Sequence, residues 1–217
     1  MRPSAFGTTA QGAAWASLSP ASASQLALVV LGLKPATIIH GAPDVVHGIA
    51  AGRGFVVDID GPDERYPVAT VSTARRFAAY RQRLAAVDDD DPTASHRVHG
   101  WFLGYPRCCV EQYVAPLDDD GEDALRQGSR FMASRFGRQL AALLVTGAPC
   151  PEPLLFAPTS FTPCNVTCPC AIAMLSSYAT MLDRFTPEIA RSVAERQRAF
   201  LHRAASLRPI EGSPIAR

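Results

Sequence analysis

The chain is 217 residues long, 47% hydrophobic and 19% charged, which suits one compact domain whose core needs no crosslinks. Its formal charge is +1, from 21 Lys and Arg against 20 Asp and Glu, which excludes a global field that would gather nucleic acid or an anionic membrane. Lys34 is the one lysine among those 21 cations, a bias that fits a high-GC genome better than an arginine-built binding surface.

Residues 1–22 are rich in Ala, Ser, Thr and Gly without strong periodicity and read as a flexible N-terminal arm. They contain one early Arg and no continuous apolar stretch, so they do not resemble a secretory signal. The apolar run Leu26–Leu33 comes too late and is too short to span a bilayer. A cytoplasmic protein is expected, in which thiols stay reduced and clustered cysteines point to metal or redox chemistry rather than a disulfide framework.

Ser24 to Leu33 reads as a short buried helix stopped by Gly32 and Pro35, and Ala36 to His40 as a strand. Phe55 to Ile59 and Tyr66 to Val71 have strand composition and are joined by Asp60-Gly61-Pro62-Asp63, which predicts a β-hairpin with a loop longer than two residues. Ser72 or Thr73 can cap a helix running to about Ala86, with Phe77, Tyr80 and Leu84 on one face, and Asp88 to Pro92 end it. Beyond this point helices are expected over Pro106–Val114, roughly Asp123–Val145, Pro169–Leu182 and Pro187–His202. The fold class is therefore α+β: a small antiparallel N-terminal sheet packed on a mainly helical C-terminal half. It forms one domain over residues 23–205, with a flexible tail over 206–217.

Four of the six cysteines fall into two tight groups, Cys108–Cys109 in GYPRCCVEQY and Cys164–Cys168 in FTPCNVTCPC. Each group lies beside a proline suited to opening a helix. Pro106 would place Cys108 and Cys109 in a first turn, where unpaired N–H groups and the helix dipole favour thiolate and should make these thiols ionise readily. Pro169 would put Cys168 at a cap. Four thiolates can then converge as ligands of a cubane iron–sulfur cluster or a tetrahedral zinc. The spacing matches neither a zinc ribbon nor the three-cysteine motif of radical S-adenosylmethionine enzymes.

Cys150, between two prolines, reads as a packed thiol, whereas Cys170 stands as either a further ligand or a core residue. His96 and His99 precede the GYPRCC motif and could supply a ligand or a proton, against the plainer reading of loop histidines. His99, Tyr105 and Arg107 are the nearest candidates for an additional ligand or for outer contacts to the metal group. Asp58, Asp60 and Asp63 lack the spacing of a calcium loop, and the acidic runs at 88–91 and 118–120 read as solvated loops.

The stretch from Trp101 to Leu182 resembles a prokaryotic family grouped as domain of unknown function 483, whose pattern is Gly-Tyr-Pro-x-Cys-Cys followed by His-x-Pro-Cys-x-x-x-Cys. Gly104, Tyr105, Pro106, Cys108, Cys109, Pro163, Cys164 and Cys168 carry the resemblance. It departs at Phe161, where that pattern has histidine, and it implies no particular activity.

These residues lead first to an iron–sulfur protein serving electron transfer or small-molecule redox chemistry, with a small molecule or a redox protein as partner. A zinc-stapled structural or protein-interaction module is the alternative, and a metal-free thiol oxidoreductase the next. Whether the chain is an enzyme stays open. No phosphate loop, dinucleotide fingerprint, nucleophile elbow or basic recognition helix is present, and neither nucleic acid nor membrane is an expected partner.

Overall fold

The computed structural model describes residues 9–60, 68–88, 91, 93–115, 135–157 and 161–206. In chain order the elements are α1 (Thr9–Ala16), α2 (Pro20–Val30), β1 (Ala36–His40), α3 (Pro43–Ala51), β2 (Phe55–Asp60), β3 (Val68–Thr73), α4 (Ala74–Ala85), α5 (Ala94–Leu103), α6 (Arg107–Val114), α7 (Arg135–Thr146), a 3₁₀ turn (Glu152–Phe156), α8 (Pro169–Phe185) and α9 (Pro187–Ser206). This is the expected α+β arrangement.

The three strands are antiparallel in the order β1-β3-β2, so the hairpin partner β3 is also the central strand. Its register places Thr37 and Val57 on either side of Val71, and Ile38 and Asp58 on either side of Thr70. Because side chains alternate along a strand, these rows lie on opposite faces. Ala69, Val71 and Ile39 face one core with α2 and α3. Ala36 and Ile38 face a smaller cluster with Phe77 of α4 and with Phe102 and Leu103 of α5. The sheet is thus covered on both faces, and its second face positions α5 and whatever follows it.

α2 lies at the centre of the larger core. Ser19 caps it by accepting from the Ser22 N–H at 3.1 Å, and Leu26, Ala27, Leu28 and Val29 are at most 1% exposed. A helix apolar all round must be enclosed, and β1, α8 and α9 enclose this one. The segment Thr9–Ser22, read from composition as part of a loose arm, instead contains α1 and the start of α2, with Trp15 and Leu18 buried. The reason is that two large apolar side chains suffice to dock a weakly patterned helix. Residues 1–8, the section 123–134 of the expected long helix and the tail from 207 lie outside the described residues.

Two further elements depart from the sequence reading. α3 was not expected, and the His96–His99 stretch, read as loop, is α5. Asp91 makes that helix begin: its Oδ1 accepts from the backbone N–H groups of Thr93 at 2.8 Å and Ala94 at 3.0 Å, and from the Thr93 hydroxyl at 2.7 Å. One member of the acidic run therefore forms the turn that leads into Thr93, the N-cap, rather than being only a solvated charge.

α5 and α6 meet at a tight corner. Gly104 ends α5 in the left-handed region at φ 77°, and the Tyr105 N–H bonds back to the Gly100 carbonyl at 2.9 Å. A Cβ on Gly104 would lie 2.6 Å from Pro35 Cδ, and one on Gly100 only 2.4 Å from Val110 Cγ2. Both glycines are needed so that α6 can turn back against α5, which buries Cys109 and leaves Cys108 beside it at the surface.

Candidate metal centre

Cys108 and Cys109 occupy the first turn of α6, after Pro106 at its N-cap. Cys168 is the N-cap of α8, and its sulfur accepts from the Ala171 N–H at 3.5 Å. Cys164 precedes it in a short loop. The Asn165 side chain folds that loop by accepting from the Thr167 N–H and hydroxyl, both at 3.0 Å, and the Gln139 side chain of α7 holds it by accepting from the Val166 N–H at 3.1 Å. Phe161 packs on the Tyr105 ring at 4.7 Å and closes the loop over the α5–α6 corner.

These elements bring the four sulfurs of Cys108, Cys109, Cys164 and Cys168 within 4.8 Å of one another, an arrangement that could hold a metal ion. Three of the separations are 3.9 Å (Cys108–Cys109), 3.7 Å (Cys108–Cys168) and 3.8 Å (Cys109–Cys168). All four are free thiols. Four thiolates around one tetrahedral ion at about 2.3 Å have sulfur–sulfur edges of about 3.8 Å. The residues present therefore fit such a group without rearrangement of those three edges.

Three N–H donors converge on the sulfurs. The Cys164 N–H points at the Cys109 sulfur at 3.4 Å, Asn165 Nδ2 at the Cys164 sulfur at 3.5 Å, and Ala171 N–H at Cys168. Such donors, with two helix N-termini, offset the excess negative charge of four thiolates on a divalent ion.

The protonation pattern differs from the sequence expectation. Cys108 and Cys109, expected to ionise readily at a helix start, are both held as thiols. Burial pushes Cys108 up to about 11 with help from Cys168, and burial pushes Cys109 well above the ordinary thiol range against the Cys164 N–H. Cys164 is raised too, first by burial. Cys168 is the exception: burial opposes its charge, but the Ala171 N–H and then the neighbouring thiols outweigh it and lower its pKa. Of the four thiols, the one at the helix cap is the one that gives up its proton most easily.

The remaining candidates separate from the sulfurs. Cys170 is exposed and outside the four-sulfur group, and Cys150 is a half-buried packed thiol raised by burial. Arg107 is 91% exposed and pairs with Glu111 at 3.8 Å. His99 is committed elsewhere: Nδ1 lies 2.7 Å from the Ser95 carbonyl and so must donate, which leaves Nε2 to accept from the Tyr80 hydroxyl at 2.8 Å. Tyr105 lies beside the centre rather than in it, with the buried Lys34 ammonium nitrogen 5.3 Å from its ring centroid. Sequence reasoning missed Asn165 and Gln139. The Asn-x-Thr spacing was the available sign of the first, since Asx turns take that form; nothing local marks the second.

His96, His99, Tyr105, Cys109, Tyr113 and Phe161 line a cavity of about 270 Å³ between α5, α6 and the cysteine loop. Cys109 is its link to the sulfur group. Among the described residues no helix is long and apolar enough to cross a membrane. Comparisons of the chain with protein-family models, with curated proteins and with solved structures find no match in any of the three.

Proposed function

We propose that the chain is a metalloprotein in which Cys108, Cys109, Cys164 and Cys168 bind one tetrahedral ion, zinc foremost, that staples α6 to the start of α8. The observation that carries this reading is the sulfur geometry: all four lie within 4.8 Å, and the three separations among Cys108, Cys109 and Cys168 are 3.7 to 3.9 Å, where the edge for a shared ion is about 3.8 Å. In a cubane each thiolate binds its own iron, so the sulfurs must stand farther apart. A four-thiolate zinc has no open position, and its use is to fix the α5–α6 corner and the cysteine loop as a surface for another protein.

An iron–sulfur cluster serving electron transfer or redox chemistry is the second reading. It is favoured by the solvent exposure of Cys108, which gives an electron a short way out, and by the neighbouring pair, which suits separate irons. A reducing compartment such as the cytoplasm serves either reading. The family resemblance belongs to the same proposal. Its support is that the matched residues supply the sulfurs, the Gly104–Pro106 corner or the proline beside Cys164.

Metal and acid-labile sulfide analysis of protein purified without oxygen tests the choice. One zinc per chain without sulfide and without visible colour is expected. Iron with stoichiometric sulfide would transfer the assignment to the cluster, and protein that holds no metal after anaerobic reconstitution would overturn both.

A further inference from the structure

The cavity beside Cys109 has features of a ligand site that the metal reading does not use. Its volume of about 270 Å³ admits on the order of ten non-hydrogen atoms if each water-sized group takes ~30 Å³. Among the described residues its lining carries no carboxylate, guanidinium or ammonium group. An ionic ligand would lose its hydration there without gaining a counter-charge. The walls are flat rings: Tyr113 meets His96 edge-on at 5.8 Å between centroids, and Tyr105 lies against Phe161 at 4.7 Å. Leu103 and Val110 complete the apolar surface, and Gly100 allows α5 and α6 to come together behind it.

Cys109 belongs to the lining, although the residue is only 2% exposed. It receives an N–H from Cys164 at 3.4 Å. A thiolate keeps lone-pair capacity when it binds a metal, so it would be able to accept a second donor that reached it from the cavity. Thr162 is also in the lining and, among the described residues, is its one aliphatic hydroxyl residue.

We propose that this cavity binds a small, uncharged, planar aromatic molecule carrying an N–H or O–H donor, with the rings of Tyr105, Tyr113, His96 and Phe161 along its faces and edges and the donor directed at the Cys109 sulfur. The inference rests on the metal reading only for the charge carried by Cys109; the cavity itself does not depend on it. Site and sulfur together would couple ligand binding to the metal centre without an open coordination position.

The test uses indole as probe, with indene as the same shape lacking the donor and benzoate as a charged control. Titration calorimetry is run on the full metal-loaded chain and, separately, on the reduced metal-free chain. Saturable one-to-one binding of indole is expected, weakened at least tenfold by Thr162→Trp, which fills the cavity, and by Tyr113→Ala, which removes a partly exposed wall. Metal content of each variant, and its thermal melting, separate loss of the cavity from loss of fold. Indene should bind at least several-fold more weakly than indole, and cobalt-substituted protein should show a shift of its ligand-field bands with indole but not benzoate. No saturable binding, equal binding in both variants, or benzoate binding as tightly as indole would overturn the proposal. Binding to the metal-free chain that both variants abolish, with no metal taken up by any preparation, would sink the metal reading and leave the cavity standing.

Discussion

Lowering the pH should empty the metal centre far more steeply than the ordinary thiol pKa suggests. In the metal-free fold burial holds Cys109 and Cys164 above the usual range and Cys108 at about 11, whereas Cys168 is lowered. Binding a divalent ion as a tetrathiolate must therefore expel three protons, and a fourth to the extent that Cys168 is still protonated. Each proton released adds one unit to the slope of log affinity against pH, so affinity should change by about a thousandfold or more per unit between about pH 6 and about pH 8. Competition against a chelating dye whose own protonation is known reads that slope, and an indicator in weak buffer counts the protons directly. Cys164→Ala should lower the slope by about one, and Cys170→Ala should leave it unchanged. A slope of one or less with the wild-type chain would refute the argument, because it would mean that the thiols are already ionised or are not the ligands.

Cys168→Ala should reduce zinc affinity by more than the roughly 10–100-fold typical of losing an outer-shell partner, while Cys170→Ala retains one ion per chain; metal analysis after dialysis against a chelator distinguishes them. Lys34 is 2% exposed and burial lowers its pKa from 10.5 to about 7. The unfolded chain binds more protons than the folded one between those values, so stability rises with pH across that window and the penalty is fully present below it. The shift corresponds to about 5 kcal/mol, partly offset by the bonds of Nζ to Gln25 at 2.8 Å and Thr37 at 3.4 Å. Lys34→Met should stabilise the fold most below pH ~7 and lose that advantage by about pH 10; urea denaturation of both chains at the two pH values checks it, and a pH-independent difference would contradict it. Gly104→Ala should destabilise by about 2–4 kcal/mol, from the left-handed φ and the contact 2.6 Å from Pro35 Cδ, seen as a lower urea midpoint at unchanged m-value.

The parts of the site that the sequence disclosed are those set by local rules. Proline beside each cysteine group marked the two helix starts, and Cys168 does cap α8. The hairpin was legible because β-rich runs flanked a turn segment. The partner of β1 was not, since nothing local says that it joins β3 rather than β2. α5 was hidden because Gly100 and two histidines weaken its helical pattern; Gly100 is there for the close approach of Val110, a tertiary demand. The thiol protonation was misjudged for a similar reason. The dipole of α6 favours charge on Cys108 and Cys109, but packing the four sulfurs together desolvates them and makes each new charge repel the last. The burial of the lone lysine, and the cavity beside Cys109, arise only when distant segments meet.

The same protonation pattern bears on the choice between metal binding and thiol exchange. A thiol oxidoreductase needs an accessible sulfur that is also a thiolate. Here those properties fall on different residues: Cys108 is exposed but held at about 11, while Cys168 has the lowered pKa and is 2% exposed. Attack by Cys108 would be slow for want of charge, and attack by Cys168 would require an incoming disulfide to reach a buried helix cap. For a metal the division is an advantage. The most easily ionised thiol sits at a helix start, where it can meet the cation first, its neighbours are held protonated so that the empty site does not repel itself, and each gives up its proton only to an ion that binds sulfur strongly enough to compensate. That requirement discriminates against magnesium and calcium, which prefer oxygen, and favours zinc, iron or copper(I).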